Sequence, residues 1–498
     1  MVVRAANGKS SKPKEIHVID GIGPSLGYNV FNASFASLMV GIYERLFFVK
    51  SDGKFQPPPQ PVEGAYYDRL SSIRSRLLKN CSRTTPIPLE EYPRLFQGRK
   101  RKIYENAVLS LQSFALTVRD AIVATFTKVE KVAFLLKLVN IPRIIQPRNA
   151  RYLVSVGRYI KAVEHKLVKA VGKLWGDDTI VKGMNADEVG RLAARKWGRF
   201  RYPVAVGMDA SRFDQHVSRQ ALIWEHGIYV DLFASIRDRR ELAKMLSWQL
   251  QNTGRAFIDG KRVDYRVDGC RMSGDPNTGI GNCLLASCLT KAFVESVGLD
   301  CDLLNNGDDC VLFLEKEDLH KLATLPEWFK EMGFTMIVEE PEYELEKVEF
   351  CQSRFILGPT GYRQVRNPRI AVAKDGVSIK PFESPNQMRS WFAAIGEGGA
   401  ALTSGIPVMQ AYYNMLFRNA NGVTAMSSEE PTLNTGTRFL RQGMEAKLLP
   451  VSPESRVSFW LATGILPDDQ EALERHYDQV TIPDHSSDVC TPTIMGLF

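Results

Sequence analysis

Stretches with helical spacing alternate along the chain with short apolar runs of strand length. Apolar residues recurring every three to four positions predict helices at about 104–126, 153–173, 186–197, 217–249, 280–296 and 317–332. Short runs rich in Val, Leu, Ile and Phe predict strands at about 204–209, 302–306, 310–314, 334–338 and 348–351. A fused helical region is expected over 383–420 and 435–475. Helices and strands in this irregular order argue for an α+β fold rather than a doubly wound sheet. The segment KSSKPK at 9–14 reads as a flexible arm, and QPPPQP at 56–61 as a stiff polyproline-type connector.

Composition narrows the class. The 498 residues are 44% hydrophobic and 24% charged, the balance of a globular protein, which excludes wholesale disorder. The length suggests roughly three domains or one large interleaved body. The most apolar long stretch, Phe31 to Val49, is broken by Glu44 and Arg45, which argues against a spanning helix. Residues 1–14 lack the apolar core of a signal peptide. Eight scattered cysteines with no CxxC pair favour reduced thiols over a disulfide scaffold or zinc ribbon. The net charge of +8 is clustered. RLFQGRKRK at 94–102 contains Arg99, Lys100 and Arg101, and the segment 143–166 contains Arg143, Arg148, Arg151 and Lys161. Phe96, Tyr104, Tyr152 and Tyr159 are interleaved with these cations, so a nucleic-acid groove is expected there.

Three segments carry candidate chemistry. In VAVGMDASRFDQHVS (204–218) an apolar strand delivers Asp209 at its end, and Asp214 follows five residues later near the same edge. Such a pair alone fits a metal site, an acid/base pair or a strand-end turn. In GCRMSGDPNTGIGNCLLAS (269–287), Ser273-Gly274 is a tight turn, Asp275 is expected to cap a helix, and Pro276 suits its first position. Thr278 and Asn282, four apart, share one face of that helix. In CDLLNNGDDCVLFLE (301–315), two apolar strands flank Asn306-Gly307, a hairpin signal that puts Asp308 and Asp309 at the tip. Adjacent like charges repel, and a divalent cation would offset that cost. Together, in this order and with an arginine-rich segment upstream, the parts suit nucleotidyl transfer. Carboxylates supply hard oxygen ligands for two Mg²⁺ ions, and arginines hold a triphosphate in bidentate geometry. An Asp–Ser–Thr–Asn cluster can read a ribose 2′-OH.

These segments resemble the viral RNA-dependent RNA polymerases of the plus-strand plant virus family Tombusviridae. The resemblance rests on GIGPSLGYNVFNASFASLMVGIYERLFFV, PRIIQPRNARYLVSVGRYIKAVEHKL, GMDASRFDQHVS, RMSGDPNTGIGNCLL, NNGDDCVLF and ELEKVEFCQSRFI, over residues 21 to about 355, and more weakly on SGIPVMQAYYNML (404–416). It implies a right-hand polymerase fold of fingers, palm and thumb, with an antiparallel palm sheet. Expected boundaries are 1–200 for the N-terminal extension, fingers and fingertips, 201–219 and 267–355 for the palm, 220–266 for a fingers insertion and 356–498 for the thumb. By resemblance, Asp209 and Asp308 are the main metal ligands, with Asp309 auxiliary. Asp214, Ser273, Thr278 and Asn282 are expected near the incoming ribose, Arg143 and Arg148 at the triphosphate. Arg151, Lys161, Arg99, Lys100 and Arg101 are expected to bind RNA. The general acid of the family matches Lys330 or Lys347, and Cys351 falls in the turn that supports the primer.

The resemblance further implies Mg²⁺, for which Mn²⁺ can substitute. The implied partners are template and product RNA, ribonucleoside triphosphates and other viral replication proteins. The implied place is membrane-associated complexes in the host cytoplasm. Polymerases of this family are often readthrough or frameshift products whose N-terminal portion carries membrane anchors, so a chain without an anchor is expected to be either a downstream portion or a piece produced separately, and membrane attachment is not readable from it. Two other readings are weighed. A reverse transcriptase shares the palm, but the acid at Asp214 welcomes a 2′-OH. An RNA-binding accessory protein with a decayed palm should have lost a metal carboxylate, and Asp209, Asp308 and Asp309 are all present.

Overall fold

A computed structural model describes residues 1–6, 14–19, 26–51, 53–136, 140–427 and 440–483, and the backbone of 487–489. The expected arm at 9–14, apart from Lys14, lies outside the described residues, as do 435–439 of the expected C-terminal helical region. The architecture is α+β. Strand β1 (Val2–Ala5) is followed by helices α1 (Phe35–Ile42), α2 (Ala65–Lys79) and α3 (Gly98–Ser113) and by the short strand β2 (Val123–Ala124). Helices α4 (Ala150–Trp175) and α5 (Ala186–Trp197) lead into β3 (Pro203–Ala210). Then come α6 (Arg219–Asp231), α7 (Ile236–Ser247), the hairpin β4 (Gln251–Ile258) and β5 (Lys261–Asp268), and α8 (Thr278–Ser296). Strands β6 (Cys301–Asn306), β7 (Asp309–Glu315), β8 (Met336–Val338), β9 (Ser353–Gly358) and β10 (Gly361–Arg366) precede α9 (Pro385–Thr403), α10 (Met409–Asn419), α11 (Pro453–Thr463) and α12 (Pro467–Gln479). No helix among the described residues is long and apolar enough to cross a membrane.

The site is carried by an antiparallel sheet in the order β6-β7-β3-β8. Its strands read as almost unbroken apolar runs because both faces are covered. Val204, Val206 and Met208 face the largest core, with Leu284 and Leu285 of α8 and Tyr159 and Val163 of α4. Ala205, Val311 and Phe313 face the other way, onto Val189, Leu192 and Ala193 of α5. Helix α5 approaches β10 so closely that a Cβ on Gly190 would lie 2.2 Å from the Tyr362 carbonyl oxygen, so glycine is required there. A second sheet, β1-β5-β4-β2, buries Ala256, Val263 and Tyr265 against α1. Helices α9 to α12 form a third core around Trp391, Tyr412 and Phe459.

The helix ends follow capping chemistry. Asn149 caps α4, whose C-terminus is closed by left-handed Gly176. Asn185 and Glu188 form a capping box on α5, whose bounds match the predicted 186–197. Elsewhere the sequence pattern misleads. The helix expected at 104–126 begins at Gly98 and stops at Ser113, where Phe114 turns extended; Thr117 and Asp120 then cap a short 3₁₀ turn. The expected 217–249 helix is two. Phe233 leaves the helix to bridge Thr84, and Ser235 caps α7 through the amides of Arg237 and Asp238. The 317–332 helix starts as 3₁₀ over Lys316–Thr324. The 383–420 helix breaks at Gly405, whose φ of +72° ends α9, and at the following Pro407.

Candidate active site

Strand β3 places Asp209 directly opposite Asp309 of β7. The hairpin loop is Gly307-Asp308, one residue on from the expected Asn306-Gly307, because Asn306 pairs with Asp309. Gly307 has φ +89°, a conformation that suits glycine. Asn305 pins this turn: its Nδ2 donates to the Gly307 carbonyl at 2.8 Å and its Oδ1 accepts from the Gly307 amide at 3.3 Å. Asp308 thereby reaches a cleft of ≈ 310 Å³ that is also lined by Arg45, Lys128, Arg143, Arg212, Asp214, Arg271 and Ser273. Cys351 lies in the tight turn between Phe350 and Ser353, at φ +53°, and its Sγ accepts from Asn306 Nδ2 at 3.3 Å.

One wall of the site is acidic. Desolvation, then the charges of Asp308, Asp209 and Glu349, push the Asp309 carboxyl above its usual range. Burial, then Asp209, Glu349 and Asp309, do the same to Glu339. Glu339 lies across β3 at Gly207, where a Cβ would sit 1.9 Å from Glu339 Oε2. Like charges held this close fit a cation bound through hard oxygens. Mg²⁺ commonly takes one or two carboxylates and completes its shell with water and substrate phosphates. Among the described residues no group of three or more acids, histidines or cysteines is placed to hold a metal ion by itself. The other wall is cationic. The Arg143 side chain is 60% exposed and only loosely paired, 3.6 Å from Glu130. Burial, then Arg212 and Arg143, lower the Arg45 guanidinium to about 10.

Between the walls, Asn282 Nδ2 donates to Asp214 Oδ1 at 2.7 Å, joining residues 68 apart in sequence. Burial, and to a lesser extent Asp308, raise the Asp214 carboxyl; the Asn282 hydrogen bond, Arg271 and Arg143 oppose this. Sequence reasoning missed what holds the pair. Arg271 Nε donates to Asn282 Oδ1 at 3.0 Å, and the buried Arg271 guanidinium is paired with Glu225 of α6. Glu225 also accepts from Asn277 at 2.9 Å and Tyr229 at 2.8 Å. Asn277 accepts from Gln249 at 3.0 Å, and Gln249 accepts from buried His226 at 3.1 Å. The apolar setting of Glu225 between Trp224 and Ile228 gave no local sign that it faces an arginine 46 residues on.

Several expected residues stand elsewhere. Arg148 is fully buried and its guanidinium is consumed by Asp275, the Ala121 carbonyl and Asn252. It holds the 275 turn rather than facing a triphosphate, and Asp275 is thereby an ion-pair partner rather than a helix cap. Arg151 is likewise spent on Asp120, Ser110 and the carbonyls of Phe114 and Ala115. The Thr278 hydroxyl donates to the Met272 carbonyl at 2.7 Å and so closes its own loop. Ser273 lines the cleft, and its Oγ accepts from the Gln146 amide at 3.2 Å. Lys161 is exposed and paired with Glu164 at 2.7 Å.

Arg99 and Lys100 line a separate cleft of ≈ 1050 Å³, with Lys100 stacked 4.6 Å over Phe96, while Arg101 is paired with Glu105 at 2.8 Å. Tyr104, Tyr152 and Tyr159 are core residues rather than stacking platforms. Lys330 lines an adjoining cleft that shares Arg212 and stands 3.7 Å from Glu327, while Lys347 pairs with Glu344 at 3.0 Å.

The family profile described as viral RNA dependent RNA polymerase matches residues 1–484. The chain is 41% identical over 476 residues to an RNA-directed RNA polymerase of Turnip crinkle virus, covering 95% of this chain and 60% of that protein. It is 41% identical over 474 residues to that of Melon necrotic spot virus, covering 95% and 59%. With that of Tobacco necrosis virus (strain A) it shares 39% over 473 residues, covering 95% and 65%. The chain therefore spans about 60% of the length of the curated relatives it matches.

Proposed function

Because the chain belongs to the viral RNA-dependent RNA polymerase family, we propose that it copies RNA, extending an RNA 3′-OH with ribonucleoside triphosphates to replicate a plus-strand plant-virus genome. The observation that carries this reading is Asp209 facing Asp309 beside Asp308, across a cleft from the exposed Arg143. In this reading we assign residues 1–200 to the N-terminal extension, fingers and fingertips, and 201–219 with 267–355 to the palm. Residues 220–266 are then the fingers insertion and 356–498 the thumb. Replication takes place in the host cytoplasm with other viral replication proteins.

Asp209 and Asp308, with Asp309 beside them, would hold Mg²⁺, which when bound activates the 3′-oxygen and stabilises charge on the leaving pyrophosphate. Arg143, Arg45 and Lys128, which line the cleft together, offset the triphosphate charge. Asp214 accepts from the 2′-OH of the incoming ribose, and Asn282 holds the Asp214 carboxylate in place. Ser273 and the close-packed Gly274, where a Cβ would lie 2.6 Å from Pro147, shape the floor. Contacts of this kind read backbone and sugar, so template binding is weakly sequence-specific.

A primer-extension assay on the purified chain, with Mg²⁺ and four ribonucleotides, tests the reading. Wild type should extend the primer. Asp308→Asn and Asp209→Asn should each abolish extension while folding and RNA binding persist. Absence of synthesis by the wild type, or incorporation by either variant, would remove the assignment.

A further inference from the structure

The hairpin β4–β5 and strand β1 present a face that the catalytic reading does not use. Alternation along the strands points Ala256, Val263 and Tyr265 into the core. It therefore turns Arg255, Phe257, Arg262, Asp264 and Arg266 outward. In the register, Arg4 stands opposite Arg262, Phe257 opposite Arg262 on the other side, and Arg255 opposite Asp264. The outward face thus carries four arginines and two acids, Asp264 and Asp268, the second paired with Arg219 of α6 at 2.9 Å. Asp264 accepts from Arg255 Nε at 3.0 Å and from Arg262 Nη2 at 3.0 Å, so one carboxylate orients two guanidiniums. Among the described residues Arg4 and Arg266 have no acidic partner. Like charges directly opposite on neighbouring strands are unfavourable, and the Arg4–Arg262 pair has no structural return. At the centre Phe257 is 62% exposed, a flat apolar ring among cations.

We propose that this outward face is a second RNA-binding surface, which holds single-stranded RNA away from the catalytic cleft through phosphate–guanidinium contacts and base stacking on Phe257. The proposal rests on the reading that the chain works on RNA, and adds a site to it. Oriented guanidiniums match phosphate oxygens in bidentate geometry. An exposed aromatic on a sheet gives bases a stacking platform without reading their sequence. The charge excess selects a polyanion, and the ring selects one with unpaired bases. The inner side of the same sheet backs the cleft: Tyr265 OH lies 3.1 Å from Gln146 Nε2, and Gln146 lines the cleft. A strand held on the outer face is therefore one sheet thickness from the site of synthesis.

The test is RNA binding by the full chain, read by fluorescence anisotropy with a labelled 30-nucleotide single strand, without nucleotides or Mg²⁺. Phe257→Ala should weaken binding about tenfold, more for adenine-rich than uracil-rich RNA, and Phe257→Tyr should restore it. The double variant Arg4→Ala/Arg266→Ala should lower the slope of log affinity against log salt by about 1.4, since each single-strand phosphate contact contributes about 0.7. Arg475→Ala, which removes an exposed charge from α12, should leave the slope almost unchanged. Equal affinity and slope for the sheet variants and Arg475→Ala would overturn the proposal. So would variants that keep RNA affinity but lose binding to acidic-lipid vesicles, which would make the face a membrane surface. Because the assay requires no synthesis, a chain that binds RNA here yet fails primer extension would sink the catalytic reading alone.

Discussion

Asn282 donates to Asp214 and accepts from Arg271 at once, so its amide cannot flip without breaking two buried contacts. That leaves a free Asp214 oxygen and one Asn282 N–H for a ribose hydroxyl, and a deoxynucleotide leaves such groups unpaired at a cost of about 1–3 kcal/mol. Asn282→Ala should therefore lower use of ribonucleotides more than of deoxynucleotides, narrowing a preference of roughly ten- to a hundred-fold. Competition between each ribonucleotide and its deoxy form measures the ratio, and an unchanged ratio would mean the 2′-OH is sensed elsewhere. Arg143 differs from its neighbours in being exposed on the cleft wall. Arg143→Ala should reduce apparent affinity and turnover for all four nucleotides alike, as the proposed contact with phosphates rather than bases requires; selective loss of one nucleotide would show base reading. At this scale the sequence revealed the acids and Asn282, whose spacing repeats a known order. It could not separate Arg143 from Arg148. Both are arginines beside a proline, and only the fold shows that Asp275, 127 residues away, claims the second.

Helix α8 joins the acid-bearing hairpin to the Glu225–Arg271 pair, and glycine makes that junction possible. A Cβ on Gly281 would lie 2.5 Å from Glu225 Oε1 and 2.7 Å from Arg271 Nη2. Alanine for glycine within a helix ordinarily stabilises by about 0.5–1 kcal/mol. Gly281→Ala should do the reverse and cost about 1–3 kcal/mol, since it displaces a buried charge pair. At Gly279 the nearest atoms are the Nζ and Cε of Lys182, the free end of a flexible chain. Gly279→Ala should then be neutral or slightly stabilising. Urea melts of the two variants compare the signs, and stabilisation by Gly281→Ala would show that the pair moves freely. Elements with caps and long apolar runs were legible: α4, α5, α8 and the strands of the acid-bearing sheet. The β4–β5 hairpin was missed although Asp259-Gly260, at φ +47° and +67°, is a strong two-residue turn signal. Its flanks carry Arg and Asp on the outward side, so the apolar alternation is thin. The 217–249 pattern was continuous because α6 and α7 bury adjoining faces, and the bridge from Phe233 to Thr84 and the Ser235 cap part them.

At the scale of the whole molecule, the chain's distant segments are tied by contacts that no local pattern announces. His17–Ile19 pairs with Val377–Ser378 on one side and Ser487–Val489 on the other. Nearby, Lys131 is buried, and its Nζ donates to the Lys374 carbonyl at 3.0 Å, 243 residues away, while lying 5.9 Å from the Trp391 ring. Burial lowers its ammonium from 10.5 to about 7; Asp375 opposes the shift, and Lys374 and Arg366 add to it. Below about pH 7 both folded and unfolded chains hold this proton, so its contribution to the pH dependence is flat. Between about 7 and 10.5 the unfolded chain binds a proton that the folded chain has released, and stability then rises with pH. The slope from this group is at most about 1.4 kcal/mol per pH unit. Lys131→Met keeps the apolar stem and removes the titration, though it leaves the Lys374 carbonyl without its donor. Wild type should therefore gain stability relative to Lys131→Met as pH is raised from 6.5 to 9, whatever the two differ by at 6.5. Urea melts at both values measure the change, and because every other titrating group is common to the two proteins, their difference isolates Lys131. Parallel pH profiles would mean that the ammonium reaches water and that this junction between the 131 segment and the C-terminal helices is open.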